Sequence, residues 1–285
     1  ASVILPGAPL GNVLLSEAWI RFVGGSAGDD AGWAAQGVGD IDGDGSDDLI
    51  VSAYLADGLN DGSWNGGTAY LVYGPFEPGV YYLEDVGDPE EGASIRGAKI
   101  HGGYDDRLGN SIAGLGDVDG DGADDFALAY PLESQGRVAV IYDAPLGDVT
   151  LVMIGDPDAG ATYRGSILVG EGGSGEFGYS VAGAGDIMND DHRDVLVGAP
   201  FEPFSANSRG RAYLFDGPLP LGTVLAADIG DTVDGAVFAT EGGPLLGYSV
   251  AGAGNVDGDD YDDLLLGTQG PTVNGTSKGT AYLVY

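Results

Sequence analysis

The chain has 285 residues, of which 45 are Asp or Glu and only 10 are Lys or Arg, giving a formal charge of −35. Such a field repels nucleic acid and anionic membrane surfaces, the absence of cysteine excludes disulfides and thiol chemistry, and no run approaches the ~20 apolar residues of a spanning helix. Fifty-four glycines and 14 prolines beside 43% apolar residues point to a large core built from short elements and tight turns.

From the amino end, residues 2–11 read as a strand and a Gly/Pro turn, and Asn12-Val-Leu-Leu15 as a second short strand. The run Gly32-Trp-Ala-Ala-Gln-Gly-Val-Gly39 then predicts a strand of small residues, suited to a place where several backbones crowd together. An acidic loop, Asp40-Ile-Asp-Gly-Asp-Gly-Ser-Asp-Asp48, leads into apolar Leu49-Ile-Val-Ser52, whose lack of alternation predicts burial on both faces. Thr68-Ala-Tyr-Leu-Val-Tyr73 and, past a Gly/Pro turn, Val80-Tyr-Tyr-Leu83 give a third and a fourth strand. The Gly/Asp-rich residues 87–107 read as the loop that returns the chain to the next first strand.

The same order recurs. First strands are predicted at Gly109–Gly116, Gly178–Gly185 and Gly247–Gly254, second strands at Phe126–Ala129, Val195–Gly198 and Leu264–Gly267, and third strands at Arg137–Tyr142, Arg211–Phe215 and Thr280–Tyr285. Fourth strands fall at Val149–Val152 and Thr223–Ala226, with return loops at 155–176 and 229–245. Four strands per repeat, four times over, predict an all-β fold, a β-propeller of four four-stranded blades forming one domain over 1–285. The repeats run approximately over 12–86, 87–153, 154–227 and 228–285, and the strand near 12–17 is expected to complete the last blade and close the ring. Residues 2–11 then amount to a surplus third strand, which fits excision from a longer array; Ala1 carries neither Met nor a leader, so the chain reads as a mature or excised segment.

The acidic loops carry the chemistry. Asp117-Val-Asp-Gly-Asp-Gly-Ala-Asp-Asp125 repeats the form of 40–48, Asn255-Val-Asp-Gly-Asp-Asp-Tyr-Asp-Asp263 nearly so, and Asp186-Ile-Met-Asn-Asp-Asp-His-Arg-Asp194 is a worn copy. Carboxylates at alternate positions repel one another unless a cation lies between them, and hard oxygens in flexible geometry suit Ca²⁺ better than Mg²⁺ or a transition metal. An EF-hand would need Glu at position 12, where this chain has Val51, Leu128, Val197 and Leu266 in strand-like runs. The Asp at position 9 of each copy is therefore the last side-chain ligand, in a loop that joins two strands.

With Phe177-Gly-Tyr-Ser-Val-Ala-Gly-Ala-Gly-Asp186 followed by Val197-Gly-Ala-Pro200, residues from about 12 to 285 resemble the FG-GAP repeat family, the calcium-binding units of integrin α-subunit propellers. The resemblance implies ligands Asp40, Asp42, Asp44, Asp48 and the Ser46 carbonyl in the first loop. In the second it implies Asp117, Asp119, Asp121, Asp125 and the Ala123 carbonyl, and in the fourth Asn255, Asp257, Asp259, Asp263 and the Tyr261 carbonyl. Met188 offers no hard oxygen, so the third loop keeps only Asp186, Asp190 and Asp194 and is expected to stand empty or water-filled, leaving three Ca²⁺ sites. Departures from the family pattern are Ala31, Leu108 and Leu246 at the Phe position, and four repeats where integrin heads have seven.

The resemblance places partners on the face opposite the calcium loops. There Trp64, Tyr104, Phe201 and Phe204 stand out as aromatics in polar loops, fit to anchor a protein or stack on a glycan. The expected function is a non-catalytic, calcium-stabilised extracellular or cell-surface binding and adhesion module, with no nucleic-acid partner and no membrane insertion. The alternative is a structural segment of a self-assembling fibre or larger repeat array, and an enzyme acting on polysaccharide ranks third. His101 and His192 are the sole histidines, and neither a G-x-S-x-G elbow nor an H-E-x-x-H helix is present.

Overall fold

The computed structural model describes residues 20–57, 65–132, 135–172, 175–205, 208–240, 245–270, 272–273, 276–277 and 279–285. Residues 2–17, with the expected closing strand, and Trp64 lie outside them. The described chain is all-β, with short 3₁₀ turns its only helical elements.

After β1 (Ile20–Val23), a first antiparallel set is made by β2 (Ala31–Gly39), β3 (Asp48–Ala53) and β4 (Thr68–Val72); β5 (Gly79–Tyr82) and β6 (Val86–Gly87) precede its outer strand β7 (Ile95–His101). The second set runs β8 (Ser111–Gly116), β9 (Asp125–Tyr130) and β10 (Arg137–Ile141), with β11 (Gly147–Thr150) and β12 (Ile154–Gly155) ahead of outer β13 (Tyr163–Val169). In the third, β14 (Ser180–Gly185), β15 (Asp194–Ser205) and β16 (Ser208–Phe215) are followed by β17 (Gly222–Leu225) and outer β18 (Gly235–Ala239). The fourth has β19 (Leu245–Gly254) and β20 (Asp263–Gln269), a small hairpin of β21 (Thr272–Val273) and β22 (Thr276–Ser277), and β23 (Thr280–Val284).

This arrangement of successive multi-stranded sheets is consistent with a propeller. The first strands of neighbouring sets pack side by side, β2 on β8, β8 on β14 and β14 on β19. Among the described residues no pairing joins the first set to the last: β1 pairs with β5 and β23 with β20.

The outer strands correct the sequence reading. Residues 95–101, 163–169 and 235–239 fall inside the expected return loops, whereas the predicted fourth strands belong mainly to β5, β11 and β17; β5 pairs parallel with β1, and β11 and β17 pair parallel with the outer strands β7 and β13 of the sets before them. Ile95-Arg-Gly-Ala-Lys-Ile-His101 mixes charge with apolar residues, and the acidic 3₁₀ turn before it, capped by Asp88 and ended by left-handed Gly92, gives the stretch a loop-like composition. Its strand character comes from long-range pairing with β4, a tertiary effect that local propensity does not carry. Each set thereby straps the next, as when Asp148 of β11 bonds His101 of β7 at 3.2 Å.

The core is a succession of packed interfaces. Every residue of β9 is buried, as is every residue of β4, in line with their unbroken apolar runs. Phe177, Tyr213 and Phe215 meet edge to face, with Phe177 5.3 and 6.1 Å from the other two, in a cluster that also takes in Val138 and Val140 of the second set. Phe177 is the family's Phe position, and Leu108 and Leu246 fill the same role buried at 0% and 2% exposure, so any large apolar side chain serves there. Truncating Phe177 to Ala would cost ~3–5 kcal/mol.

Candidate cation-binding loops

The four acidic loops share one local construction. The position-1 carboxylate turns inward and accepts main-chain N–H groups: Asp40 from Asp44 and Gly45 at 3.0 and 2.8 Å, Asp117 from Gly120, Asp121 and Gly122 at 2.7, 3.1 and 2.9 Å, and Asp186 from Asp190 and Asp191 at 3.0 and 3.1 Å. The position-9 carboxylate is buried and accepts the position-2 N–H, Asp48 from Ile41 at 2.9 Å, Asp125 from Val118 at 2.7 Å, Asp194 from Ile187 at 2.7 Å and Asp263 from Val256 at 2.6 Å. These bonds fold each loop into the same compact turn. Gly43, Gly120 and Gly258 hold the tight turn with φ of 71°, 79° and 87°.

In two loops the carboxylates converge. Oxygens of Asp40, Asp42 and Asp48, and likewise of Asp117, Asp119 and Asp125, lie within 4.8 Å of one another. Burial pushes Asp48 up to about 6 and Asp125 up to about 8, with neighbouring loop carboxylates adding to the shift. Asp48 Oδ1 accepts Gly74 N–H at 2.8 Å, but Asp125 Oδ1, in a residue with no exposed surface, has no hydrogen-bond partner among the described residues. A buried carboxylate with an oxygen left unpartnered, beside two more converging carboxylates, fits a hard cation.

The other two loops differ. No such convergence is found at Asp186, Asp190 and Asp194, or at Asn255, Asp257, Asp259 and Asp263, among the described residues. Asn255 turns its amide into the loop, its Nδ2 donating to the Asp259 carbonyl. Asp44, Asp121 and Asp259 accept the N–H of Ser46, Ala123 and Tyr261 at 2.8, 3.0 and 2.8 Å, the residues whose carbonyls were expected to complete each set.

Sequence reasoning missed the outer-strand arginines. Arg96 pairs with Asp42 and lies over the Tyr73 ring at 4.6 Å, and Arg164 pairs with Asp119, with Asp121 at 3.1 Å and with Asp143 at 3.8 Å. Main-chain bonds fix the equivalence, since Tyr73 donates to Arg96, Tyr142 to Arg164 and Asp216 to Asp234 at 3.2, 3.1 and 3.2 Å. The third set, lacking the position-3 Asp, thus also lacks the arginine and has Asp234 there, with Asp216 hydrogen-bonded to Asp194 and both carboxyls raised by burial. The signal lay in the sequence as Ile95-Arg96 and Tyr163-Arg164, but only the pairing of outer strands shows where these residues point.

At the opposite end of the sheets, where first strands begin and second strands end, Trp33 stacks on Tyr54 at 4.2 Å and Tyr179 meets Tyr248 at 4.8 Å and Phe201 at 6.1 Å. Phe201 and Phe204 lie in β15 and not in a loop, because that strand runs on as far as Ser205. Tyr104 is 73% exposed in the turn after β7, apart from these ring contacts. No described helix is long and apolar enough to cross a membrane.

The FG-GAP repeat model matches residues 108–141 and 177–215. The chain is 28% identical to integrin alpha pat-2 of Caenorhabditis elegans over 243 residues, 81% of this chain and 17% of that protein. It is 30% identical to integrin alpha-PS2 of Drosophila melanogaster over 165 residues, 56% of this chain and 11% of the relative, and 31% identical to human integrin alpha-IIb over 166 residues, 57% and 14%. It spans about a sixth of the length of the nematode relatives it matches. The loops, the buried Phe position and these matches agree: the chain carries FG-GAP repeats of the kind that makes it similar to integrin alpha subunits.

Proposed function

We propose that this chain is a non-catalytic, calcium-stabilised binding and adhesion module of the extracellular space or cell surface. The observation that carries the reading is the convergence of Asp40, Asp42 and Asp48, and of Asp117, Asp119 and Asp125, the last a buried carboxylate with one oxygen that has no hydrogen-bond partner among the described residues. Asp44 and the Ser46 carbonyl would complete the first set and Asp121 and the Ala123 carbonyl the second, with the Asn255–Asp263 loop a weaker third. The ion supplies charge compensation that ties two strands together, the role a disulfide plays elsewhere. Millimolar sites suit extracellular calcium.

The partner is a protein or a glycan, met at the end of the sheets opposite the loops, where Trp33, Tyr54, Tyr179, Tyr248 and Phe201 gather stacking surface. A binding role is favoured over catalysis where a row resembling a hydrolase's occurs among the described residues: Thr68 Oγ1 lies 3.1 Å from His101 Nδ1 and His101 Nε2 3.2 Å from Asp148, yet Thr68 is only 2% exposed. Calorimetric titration tests the reading. Calcium uptake at two or more sites, with a melting temperature that falls on chelation, is the expected result, and no uptake would refute it. One millimolar site in ~10 mM calcium adds ~1.4 kcal/mol and three add ~4.

A further inference from the structure

Acidic loops of neighbouring sets are joined through position 8. Asp124, next to last in the second loop, reaches back to position 1 of the first: its N–H donates to the Asp40 carbonyl at 3.2 Å while its Oδ2 accepts Asp40 N–H at 2.9 Å. Asp262 of the fourth loop holds Asp186 of the third in the same way, at 3.3 and 3.0 Å. Glycine leaves room for both carboxylates. A β-carbon at Gly39 or Gly185 would collide with Asp124 or Asp262, and both glycines take a left-handed φ, 87° and 91°. Between the second and third loops only the main-chain half survives: Arg193 N–H donates to the Asp117 carbonyl at 3.2 Å, while its guanidinium lies 3.6 Å from Asp262.

Position 8 sits between two groups of the proposed ligand set. Ala123 with its carbonyl and Asp125 with its buried, partly unpartnered carboxylate flank Asp124, so fixing those two residues fixes the main chain from which Asp124 holds Asp40. Asp40 is in turn the residue on which the first loop is folded, its carboxylate accepting Asp44 and Gly45 N–H. The two loops in which three carboxylates converge are thus joined by both bonds of the link. Loops that share an anchored segment share the cost of ordering it, so filling one leaves less to order in the other. Linkage makes the effect reciprocal.

We infer, resting on the calcium reading above, that Asp124 is a positioning residue for the first loop and that the first and second loops take up calcium with positive cooperativity. Charge alone predicts the opposite sign. A second loop emptied by Asp121→Ala is one unit more negative than the filled native loop and would draw calcium to the first loop more strongly. The hydrogen-bonded link predicts weaker binding there.

Glycine amides read the loops separately, Gly45 N–H lying against Asp40 and Gly122 N–H against Asp117. In a calcium titration of the full chain followed by these two amide resonances, Asp121→Ala should silence Gly122 and move the Gly45 midpoint ~3- to 10-fold toward higher calcium. Asp44→Ala should do the converse, silencing Gly45 and moving the Gly122 midpoint by a similar factor. Asp124→Ala should raise the Gly45 midpoint with the second loop still filling, and Asp121→Ala added to it should change that midpoint by less than ~twofold. Asp124→Asn, which keeps an acceptor oxygen for Asp40 N–H but not the charge, should return it to within ~twofold of the native value. A Gly45 midpoint that Asp121→Ala leaves level or lowers would overturn the cooperativity while calcium binding stands, and an Asp124→Asn midpoint no better than that of Asp124→Ala would overturn the positioning role. Silence of both amides in the native chain would instead overturn the calcium reading, and this inference with it.

Discussion

Arg164 places a fixed positive charge against Asp119 and Asp121 inside a loop whose carboxylates converge. A guanidinium relieves the repulsion that a cation would relieve, so the two compete. Two opposing charges on the ion and one on the arginine, at partly exposed contact distances, amount to ~1–2 kcal/mol. Arg164→Ala is therefore expected to tighten calcium binding to the second loop by ~5- to 20-fold while lowering the melting temperature in chelator; a titration in which affinity falls or stays level contradicts this. The buried Asp125 gives a second test. Its carboxyl is raised to about 8 from the ordinary 3.8, so the ion-free folded chain holds this proton more tightly than the unfolded chain does. That contribution is full below pH ~4 and is lost as pH climbs toward 8. In chelator, thermal stability should rise on acidifying from pH 8 to pH 5, and Asp125→Asn should flatten that rise. In saturating calcium, which keeps the carboxylate ionised, the rise should shrink in the unmodified chain.

The loop as an element decides how much each site is worth. Three side chains converge in the first and second loops, whereas in the third Met188 leaves a gap and Asp216 and Asp234 crowd the vicinity with further negative charge. Asp121→Ala should therefore lower the melting temperature in calcium by several degrees more than Asp190→Ala, and equal losses would refute the ranking. These loops were legible in the sequence because their ligands are local, alternate residues around a glycine whose spacing survives any tertiary arrangement. Second and third strands were legible for a similar reason, their apolar runs being too dense for anything but burial. The outer strands were not. Ile95–His101 owes its conformation to β4 and β11, the latter pairing with it from 49 positions away, and Gly235–Ala239 is glycine- and alanine-rich. Arg96 and Arg164 were hidden with them, because an arginine's role in a loop 43 to 54 residues earlier depends on the pairing that brings it back.

Charge governs the behaviour of the whole molecule. Of 55 charged residues only ten are basic, and Arg96, Arg164, Arg193 and Arg211 each pair with a carboxylate, so little positive charge remains to offset the rest. Three bound calcium ions would remove six of 35 negative charges, leaving a surface that repels itself in the folded state more than in the expanded one. Screening reaches ~10 Å at 0.1 M salt and ~3 Å at 1 M, so molar salt silences all but the contact pairs. Those contacts, the hydrogen-bonded loops and the paired outer strands, are mostly short and partly buried, and lose little. With calcium held saturating at each step, the melting temperature should rise steadily between about 0.05 and 1 M NaCl. A flat or falling curve would mean that the acidic surface is spread widely enough for solvent to absorb it.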